Sequence, residues 1–137
     1  MEAPSRIGRY HVLAPIARGG MAEVFRVKSV GVAGFEKVQA LKRIARQQAG
    51  DPRFIRSFID EARIAAELNH KNIVTVFDFG AVDGDLYLTM ELVDGVDLRT
   101  AVDRGRAVGR PLPVALACHV LAEVAAGLEH AHKKCDA

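Results

Sequence analysis

Alternating apolar and polar residues in the first part of the chain predict a β-meander. Three β-rich runs cover residues 10–16, 22–30 and 37–44, and glycine-bearing turns separate them. Tight turns join antiparallel neighbours, so these runs predict adjacent antiparallel strands.

The spacing of apolar residues changes after residue 50 and predicts an amphipathic helix. Asp51 and Pro52 suit an N-cap and a first helical position. Apolar residues then recur at three- and four-residue steps, which is the spacing of one helix face: Phe54, Phe58, Ala62, Ala65 and Leu68. Two further β-rich runs follow at 73–79 and 86–92. The predicted order is three strands, one helix and two strands.

The C-terminal part of the chain is predicted to be helical. A short helix at 98–104 and a loop at 105–113 precede a long helix at about 113–133. Apolar residues cover most of the circumference of the long helix, which is typical of an enclosed helix. We therefore predict that its packing partners are missing from this chain, and that an apolar surface is exposed.

Composition and charge are those of an ordinary soluble domain. The chain has 137 residues, of which 50% are hydrophobic and 26% charged, and its formal net charge is +2. Positive and negative residues are interspersed, so nothing favours a nucleic-acid partner or an anionic membrane. No stretch approaches about eighteen uncharged residues, and the N-terminus lacks the apolar core of a signal sequence. We expect a cytoplasmic location and no membrane segment in this part.

Cysteine and histidine residues do not form a recognisable metal site. Cys118 and Cys135 lie far apart and outside any CxxC pair, which is typical of free thiols in a reducing compartment. His130 and His132 are two residues apart and therefore face different sides of a helix. His70 has no nucleophile or metal partner nearby and is interpreted as a packing or capping residue.

Two charged residues interrupt faces that are otherwise apolar. Strand alternation places Lys42 between Ala40 and Ile44, and Glu61 lies three residues after Phe58 on the helix side that packs against the sheet. Because an unpaired buried charge is costly, Lys42 and Glu61 are predicted to form an ion pair. The alternative is that Lys42 extends to solvent and Glu61 lies at the edge of the helix face.

The segment IARGGMAEVF places small residues at the turn between the first two strands. Backbone amides around Gly19 and Gly20 can approach and cradle a phosphate chain there. A Gly-Gly pair by itself is equally compatible with an ordinary tight hairpin turn.

Several segments, in order and spacing, resemble those of bacterial, eukaryotic-like (Hanks-type) serine/threonine protein kinases across nearly the whole chain. RYHVLAPIARGGMAEVF resembles the glycine-rich loop with its leading strand, and QALKRI resembles the strand with the phosphate-binding lysine. FIDEARIAAELNHKNIV resembles the regulatory helix and its exit. DLYLTMELVDGVDL resembles the next strand and the hinge, and LAEVAAGLEHAH the first long helix of the C-terminal lobe.

The resemblance implies an α+β, protein-kinase-like fold. Its N-lobe is a five-stranded antiparallel sheet with one regulatory helix, followed by a hinge and the first helices of an incomplete helical C-lobe. The implied boundaries are an N-terminal extension at 1–9, the N-lobe at 10–92, the hinge at 93–97 and a partial C-lobe at 98–137.

The resemblance also implies an ATP site. Lys42 would contact the α- and β-phosphates and Glu61 would hold it, in agreement with the ion pair inferred from the two faces. The implied ATP-binding residues are Ile16, Ala17, Arg18, Gly19, Gly20, Met21, Ala22, Val24, Ala40, Lys42, Met90, Glu91, Val93 and Asp97.

Individual roles follow from the same resemblance. Val24 and Ala40 would enclose the adenine, and Met90 would be the gatekeeper. The backbone of Glu91 and Val93 would hydrogen-bond the adenine edge, and Asp97 would reach the ribose. The first and third glycines of the family loop correspond here to Ala17 and Ala22, which have less backbone freedom at positive φ and imply weaker or slower nucleotide binding.

Phosphoryl transfer also needs a catalytic-loop aspartate, and an asparagine and the aspartate of an Asp-Phe-Gly motif to hold Mg²⁺. We predict that none of these occurs here, that the Mg²⁺ ligands lie in a missing C-lobe, and that the chain alone is inactive.

Three hypotheses remain. The first is the ATP-binding portion of a kinase that phosphorylates Ser/Thr of protein substrates, a specificity that rests only on RGGMAEVF. The second is a non-catalytic, pseudokinase-like nucleotide-binding or regulatory module that docks its last helix on a partner protein. The third is a remnant without a stable fold. Lys42 and Glu61 favour the first, and Ala17 and Ala22 leave room for the second.

Overall fold

The computed structural model of the protein describes residues 4–44 and 50–135. Its fold divides into two compact units. The first consists of Met1–Asn69 with Val74–Leu92, and the second of His70–Ile73 with Val93–Ala137.

The first unit contains the predicted antiparallel meander, which is extended into one larger sheet. Neighbouring strands pair antiparallel in the order β1-β2-β3-β4-β6-β5. The strands are β1 Arg6–Ile7, β2 Tyr10–Arg18, β3 Ala22–Val30, β4 Glu36–Ile44, β5 Val76–Val82 and β6 Asp85–Met90.

The sheet has six described strands where the sequence predicts five. The additional strand is β1, which pairs with the start of β2 and buries Ile7. Two residues are too few to show an alternating pattern, so the sequence gives no signal for β1. Part of the predicted N-terminal extension therefore belongs to the sheet.

The two faces of the sheet bury different residues. One face carries a cluster of aromatic and aliphatic side chains from five strands: Ile7, Tyr10, Phe25, Val27, Leu41 and Tyr87. On the other face Ile44 and Leu88 pack against Phe58 and Ala62 of the helix α1 (Pro52–Glu67). Alternation along β4 separates the two sets, as predicted.

Helix α1 begins as the sequence predicts. Asp51 is its N-cap and accepts a hydrogen bond of 2.9 Å from the backbone N–H of Arg53, and Pro52 occupies the first helical position. The Arg53 guanidinium also bonds to the Asp51 carboxylate, and this side-chain bond, with the backbone bond, lowers the pKa of Asp51. Strand β5 starts later than predicted, because Ile73 donates its N–H to the carbonyl of His70 in a turn instead of pairing with a strand.

The second unit contains helices α2 (Leu98–Ala107) and α3 (Val114–Cys135). Helix α2 extends beyond the predicted end, so Gly105 lies in the helix and not in a loop. A Cβ at position 105 would lie 2.6 Å from the carbonyl oxygen of Arg110, whose N–H bonds to the carbonyl of Gly105. Glycine is needed here for this close approach and does not break the helix.

Helix α3 presents the exposed apolar surface that its composition predicts. Leu121 and Leu128 are 65% and 54% exposed. By length and composition it is the one described helix that could cross a membrane, although it contains no run of about eighteen uncharged residues. Counting uncharged residues does not identify this helix, because Glu123 and Glu129 interrupt a run that is otherwise mostly apolar. A helix from the core of a soluble protein has the same properties, so this is weak evidence for a membrane.

Candidate nucleotide-binding site

The glycine-bearing turn lies between β2 and β3. Gly19 donates its N–H to the carbonyl of Ala22 at 2.9 Å and closes the hairpin. Ala17 and Ala22 are not among the described residues with positive φ. Alanine at these two positions therefore causes no backbone strain in this conformation. Met21 and Ile16 are exposed on this hairpin.

Lys42 and Glu61 contact each other, and the predicted ion pair is confirmed. Lys42 Nζ of β4 bonds to Glu61 Oε1 of α1. The lysine side chain is 22% exposed and the glutamate side chain 54%. The ring of Phe58 lies beside the ammonium group, with 5.9 Å between Nζ and the ring centroid. The pair thus lies at the edge of the helix-packed core.

A cavity of about 460 Å³ opens between the hairpin, β4 and α1. Its lining includes several residues predicted from the sequence: Gly19, Gly20, Met21, Ala22, Lys42 and Glu61. Four residues that were not predicted as site residues complete the lining: Ile44, Phe54, Ser57 and Phe58. Ser57 lies four residues before Glu61, so it lies on the same helix face, and this spacing was the available signal.

The predicted adenine-enclosing residues form a patch on the sheet face that carries Lys42. Val24 is the register partner of Lys42, and Ala40 is the partner of Met90. Register partners project to one face, so these side chains lie together. Met90 packs against the α1 core, and these three residues are not part of the cavity lining.

The remaining predicted residues lie at the end of β6 and in the second unit. The N–H of Glu91 donates to the carbonyl of Thr75 at 2.9 Å. Val93 and Asp97 belong to the second unit, where Asp97 is the N-cap of α2. It accepts hydrogen bonds from the N–H and the hydroxyl of Thr100 at 2.8 and 2.9 Å, and these bonds lower its pKa.

The prediction that no Asp-Phe-Gly triplet occurs is wrong, because residues 78–80 spell it. The triplet lies in β5, and its aspartate has a structural role. Asp78 Oδ2 accepts hydrogen bonds from Arg9 Nη2 at 2.8 Å and from the hydroxyl of Tyr10 at 2.9 Å. These partners join the start of β2 to β5, so Asp78 contributes to the sheet.

Histidine and cysteine residues show no metal centre within residues 4–44 and 50–135, where no group of three or more candidate ligands comes together. His70 accepts a hydrogen bond from the N–H of Asn72 at 3.1 Å, and its ring lies 5.2 Å from that of His130. Its predicted capping and packing role is confirmed. Cys118 is a free thiol, and the side chain of Cys135 lies outside the described part.

The chain belongs to the protein kinase domain family, whose model matches residues 10–135. It is similar in structure to the PknI kinase domain of Mycobacterium tuberculosis, with a TM-score of 0.74 and 33% sequence identity. That match covers 98% of this chain and 54% of the PknI chain. The fold is therefore that of a kinase N-lobe with the start of a C-lobe.

Curated relatives include both kinase specificities. The tyrosine-protein kinase MasK of Myxococcus xanthus is 40% identical over 131 residues, which cover 92% of this chain and 20% of MasK. The serine/threonine-protein kinase PrkC of Bacillus subtilis is 32% identical over 126 residues, covering 92% of this chain and 18% of PrkC. The serine/threonine-protein kinase PknH of Mycobacterium tuberculosis is 34% identical over 128 residues, covering 93% and 19%. The chain spans about a fifth of such relatives.

Proposed function

We propose that these residues form the ATP-binding portion of a protein kinase that transfers the γ-phosphate of ATP to serine or threonine of protein substrates. The observation that carries the proposal is the Lys42–Glu61 ion pair, because it lies in one cavity with the glycine hairpin. A triphosphate needs a fixed cation and converging backbone N–H groups, and this cavity borders both.

The phosphate chain would lie between the hairpin and Lys42. Glu61 would hold the ammonium group toward the α- and β-phosphates, while the backbone around Gly19 and Gly20 approaches from the other side. Within residues 4–44 and 50–135, a Cβ at position 20 would meet no heavy atom within 4 Å, so this part of the turn is open among them. Phe54 and Phe58 provide an apolar wall that limits water around the lysine.

The adenine would lie against Val24 and Ala40, with Met90 behind it. The N–H of Glu91 is already used by Thr75, so we assign the adenine contact of Glu91 to its carbonyl oxygen. The hinge at 93–97 follows the boundary between the two units.

Catalysis would need residues outside these 137. The chain covers about half of the PknI kinase domain, and we propose that the remaining part of such a domain supplies the catalytic aspartate and the Mg²⁺ ligands. The same part would cover the apolar surface of α3, so we assign this helix to a C-lobe and not to a membrane. The 137 residues alone would then be inactive, and a cytoplasmic location would give access to ATP.

Nucleotide binding to the full chain, which means these 137 residues together with the proposed remaining part of the kinase domain, tests the site. We expect ATP and ADP to bind the unaltered protein and Lys42→Met to weaken or abolish binding. Lys37→Met is the matched control, because Lys37 is exposed on the same strand and lies on the opposite face. Equal affinities of the Lys42→Met and unaltered proteins would show that the phosphate site is assigned wrongly.

Acceptor specificity needs its own measurement because MasK is named a tyrosine kinase and PrkC a serine/threonine kinase. Phosphoamino-acid analysis after incubation with γ-labelled ATP and a mixed protein substrate separates the possibilities. We expect label on serine and threonine. Label on tyrosine alone would contradict this assignment while leaving the ATP site intact.

The second candidate is a pseudokinase-like module that binds nucleotide and acts through a partner protein. The replacement of two loop glycines by Ala17 and Ala22 favours it. Under this alternative the full chain would bind ATP through Lys42 without transferring phosphate to any protein. Lys42-dependent phosphate transfer by the full chain would exclude it.

A further inference from the structure

Charged side chains form a row across four strands, on the sheet face opposite Lys42. Arg18 Nη2 of β2 lies 2.6 Å from Glu23 Oε1 of β3. Glu23 Oε2 accepts hydrogen bonds from Arg43 Nε at 2.9 Å and from Arg43 Nη2 at 2.8 Å. Arg43 Nη1 in turn lies 3.9 Å from Asp85 Oδ2 of β6. The nucleotide site proposed above uses none of the contacts in this row.

The centre of the row is buried. Glu23 and Arg43 are 6% and 5% exposed, and the Arg43 guanidinium lies 5.2 Å from the centroid of the Phe25 ring. Removal of Glu23 would leave the buried charge of Arg43 with the longer 3.9 Å contact to Asp85, and removal of Arg43 would leave the buried Glu23 with the exposed Arg18. Either loss is costly, because a buried charge that loses a close partner is poorly compensated. The pair therefore strongly disfavours any change in the relative position of β3 and β4. Arg18, at the end of the row, is 55% exposed.

The row also borders the nucleotide site through the backbone. Arg18 immediately precedes Gly19, and Glu23 immediately follows Ala22, so the Arg18–Glu23 contact closes the base of the glycine hairpin. Arg43 immediately follows Lys42 on β4. Neighbouring strand residues point to opposite faces, so the row fixes from behind the strands that present the hairpin and the lysine.

We propose that Glu23, held by Arg43 and clamped by Arg18, positions the glycine hairpin for nucleotide binding. These are positioning residues, because their side chains lie on the face away from the cavity. Arg18 is therefore assigned this role instead of the direct ATP contact that the family resemblance implies. The inference rests on the proposed ATP site and goes beyond it by assigning the hairpin geometry to an ion-pair row. A residue that acts in this way changes ligand affinity without contacting the ligand.

Arg18→Ala in the full chain is the primary test, because Arg18 is exposed and its loss leaves the core intact. We expect the dissociation constant for ATP to rise by about twofold to thirtyfold. We expect little change in the midpoint of thermal unfolding, since exposed ion pairs contribute little stability. Arg6→Ala removes an exposed arginine from β1, far along the sheet, and is expected to leave both quantities unchanged.

A double-mutant cycle tests whether Arg18 acts through Glu23. Glu23→Gln is expected to weaken ATP binding and also to lower the unfolding midpoint. If Arg18 works through Glu23, then Arg18→Ala has no further effect on ATP affinity in the Glu23→Gln background. Equal effects of Arg18→Ala in the two backgrounds would overturn the proposal.

Other outcomes separate this inference from the function on which it rests. Suppose that the unaltered protein binds ATP, that Lys42→Met abolishes binding and that Arg18→Ala leaves the affinity unchanged. The positioning role of Arg18 would then be wrong, while the assignment of the ATP site would stand. If Arg18→Ala lowers both the ATP affinity and the unfolding midpoint, the loss of affinity follows from a less stable fold. Arg18 would then have a structural role and not a positioning role. If the unaltered protein does not bind ATP, both the proposed function and this inference are wrong.

Discussion

Glu61 on α1 bonds to Lys42 on β4, and both side chains border the cavity beneath the glycine hairpin. The contact joins a helix to a strand through two residues that are 19 apart in sequence. We therefore expect Glu61 to control where the ammonium group lies more than it controls the stability of the fold.

Glu61→Gln should weaken ATP binding by the full chain, because Lys42 then loses its charged partner and is held less firmly toward the phosphates. The free energy of unfolding should change by no more than about 1 kcal/mol, as for other partly exposed ion pairs. Titration calorimetry and thermal unfolding measure the two effects. Glu67→Gln, an exposed change on the same helix, is the control. Unchanged ATP affinity in Glu61→Gln would contradict the assigned role.

Gly80→Ala should destabilise the first unit, because Gly80 on β5 lies against the ring of Tyr87 on β6. A Cβ at position 80 would be 2.7 Å from the Tyr87 hydroxyl oxygen and 2.8 Å from the ring carbon that bears it. Tyr87 is buried, and its ring is held edge-on against Tyr10 with 5.7 Å between centroids. We expect a loss of about 1–3 kcal/mol in chemical denaturation.

Gly50→Ala is the matched control for this change. A Cβ at position 50 would meet no heavy atom of the described residues within 4 Å, and Gly50 is not among the described glycines with positive φ. Its effect on the free energy of unfolding should stay within about 0.5 kcal/mol. Equal stabilities of the two variants would show that the Tyr87 ring moves aside freely.

Periodicity predicted much of the fold because the strands and α1 bury one face each. The pairing of Lys42 with Glu61 followed from the same reasoning, since both charges interrupt apolar faces. The short strand β1 and the close packing of Gly105 on Arg110 depend on contacts with other segments, which no local pattern records. The Asp-Phe-Gly triplet at 78–80 shows that a short motif does not by itself define a role. Here it lies in strand β5, where Asp78 supports the sheet.

The buried row of Glu23 and Arg43 was also missed for a physical reason. Glu23 lies between Ala22 and Val24, and Arg43 precedes Ile44, so each has the pattern of a solvent-facing residue on a half-buried strand. The register partners that bring them together are set by the hairpins, and the curled sheet buries the face that a flat sheet would expose. Only the three-dimensional pairing identifies them as partners.

Glu123 should give the second unit a stability that depends on pH. Its Oε2 accepts bonds from Lys71 Nζ at 2.7 Å and from Asn72 Nδ2 at 2.8 Å, and these contacts lower its pKa. Because the pKa of Glu123 is lower in the folded state, its contribution to the free energy of unfolding is complete above the usual carboxyl pKa of 4.5. That contribution is lost as the pH falls through the pKa of the folded state.

Thermal unfolding followed from pH 7 into this acidic range measures the effect. Glu123→Gln should lower the midpoint at neutral pH and reduce its fall on acidification, because the variant has no carboxylate to protonate. Lys71→Met removes the first cause of the lowered pKa and should act in the same direction. A fall on acidification that is identical in Glu123→Gln and in the unaltered protein would assign the pH dependence to other groups.

Leu121→Lys with Leu128→Lys should have opposite effects in the 137-residue chain and in the full chain. In the shorter chain both leucines are more than half exposed, and lysine there should reduce self-association, which light scattering measures. In the full chain we expect a C-lobe to bury them, so each change should destabilise by about 2–5 kcal/mol, the range for loss of a buried leucine.

This contrast also separates a C-lobe helix from a membrane helix, which the length and composition of α3 alone do not. If α3 were inserted in a membrane, the two lysines would release the full chain from lipid vesicles, because charged residues at the centre of a span are costly. If α3 packs in a C-lobe, the unaltered full chain should stay in solution in the presence of vesicles, and only its unfolding midpoint should respond to the two changes. Vesicle binding that the two lysines abolish would therefore overturn the assignment of α3 to a kinase C-lobe.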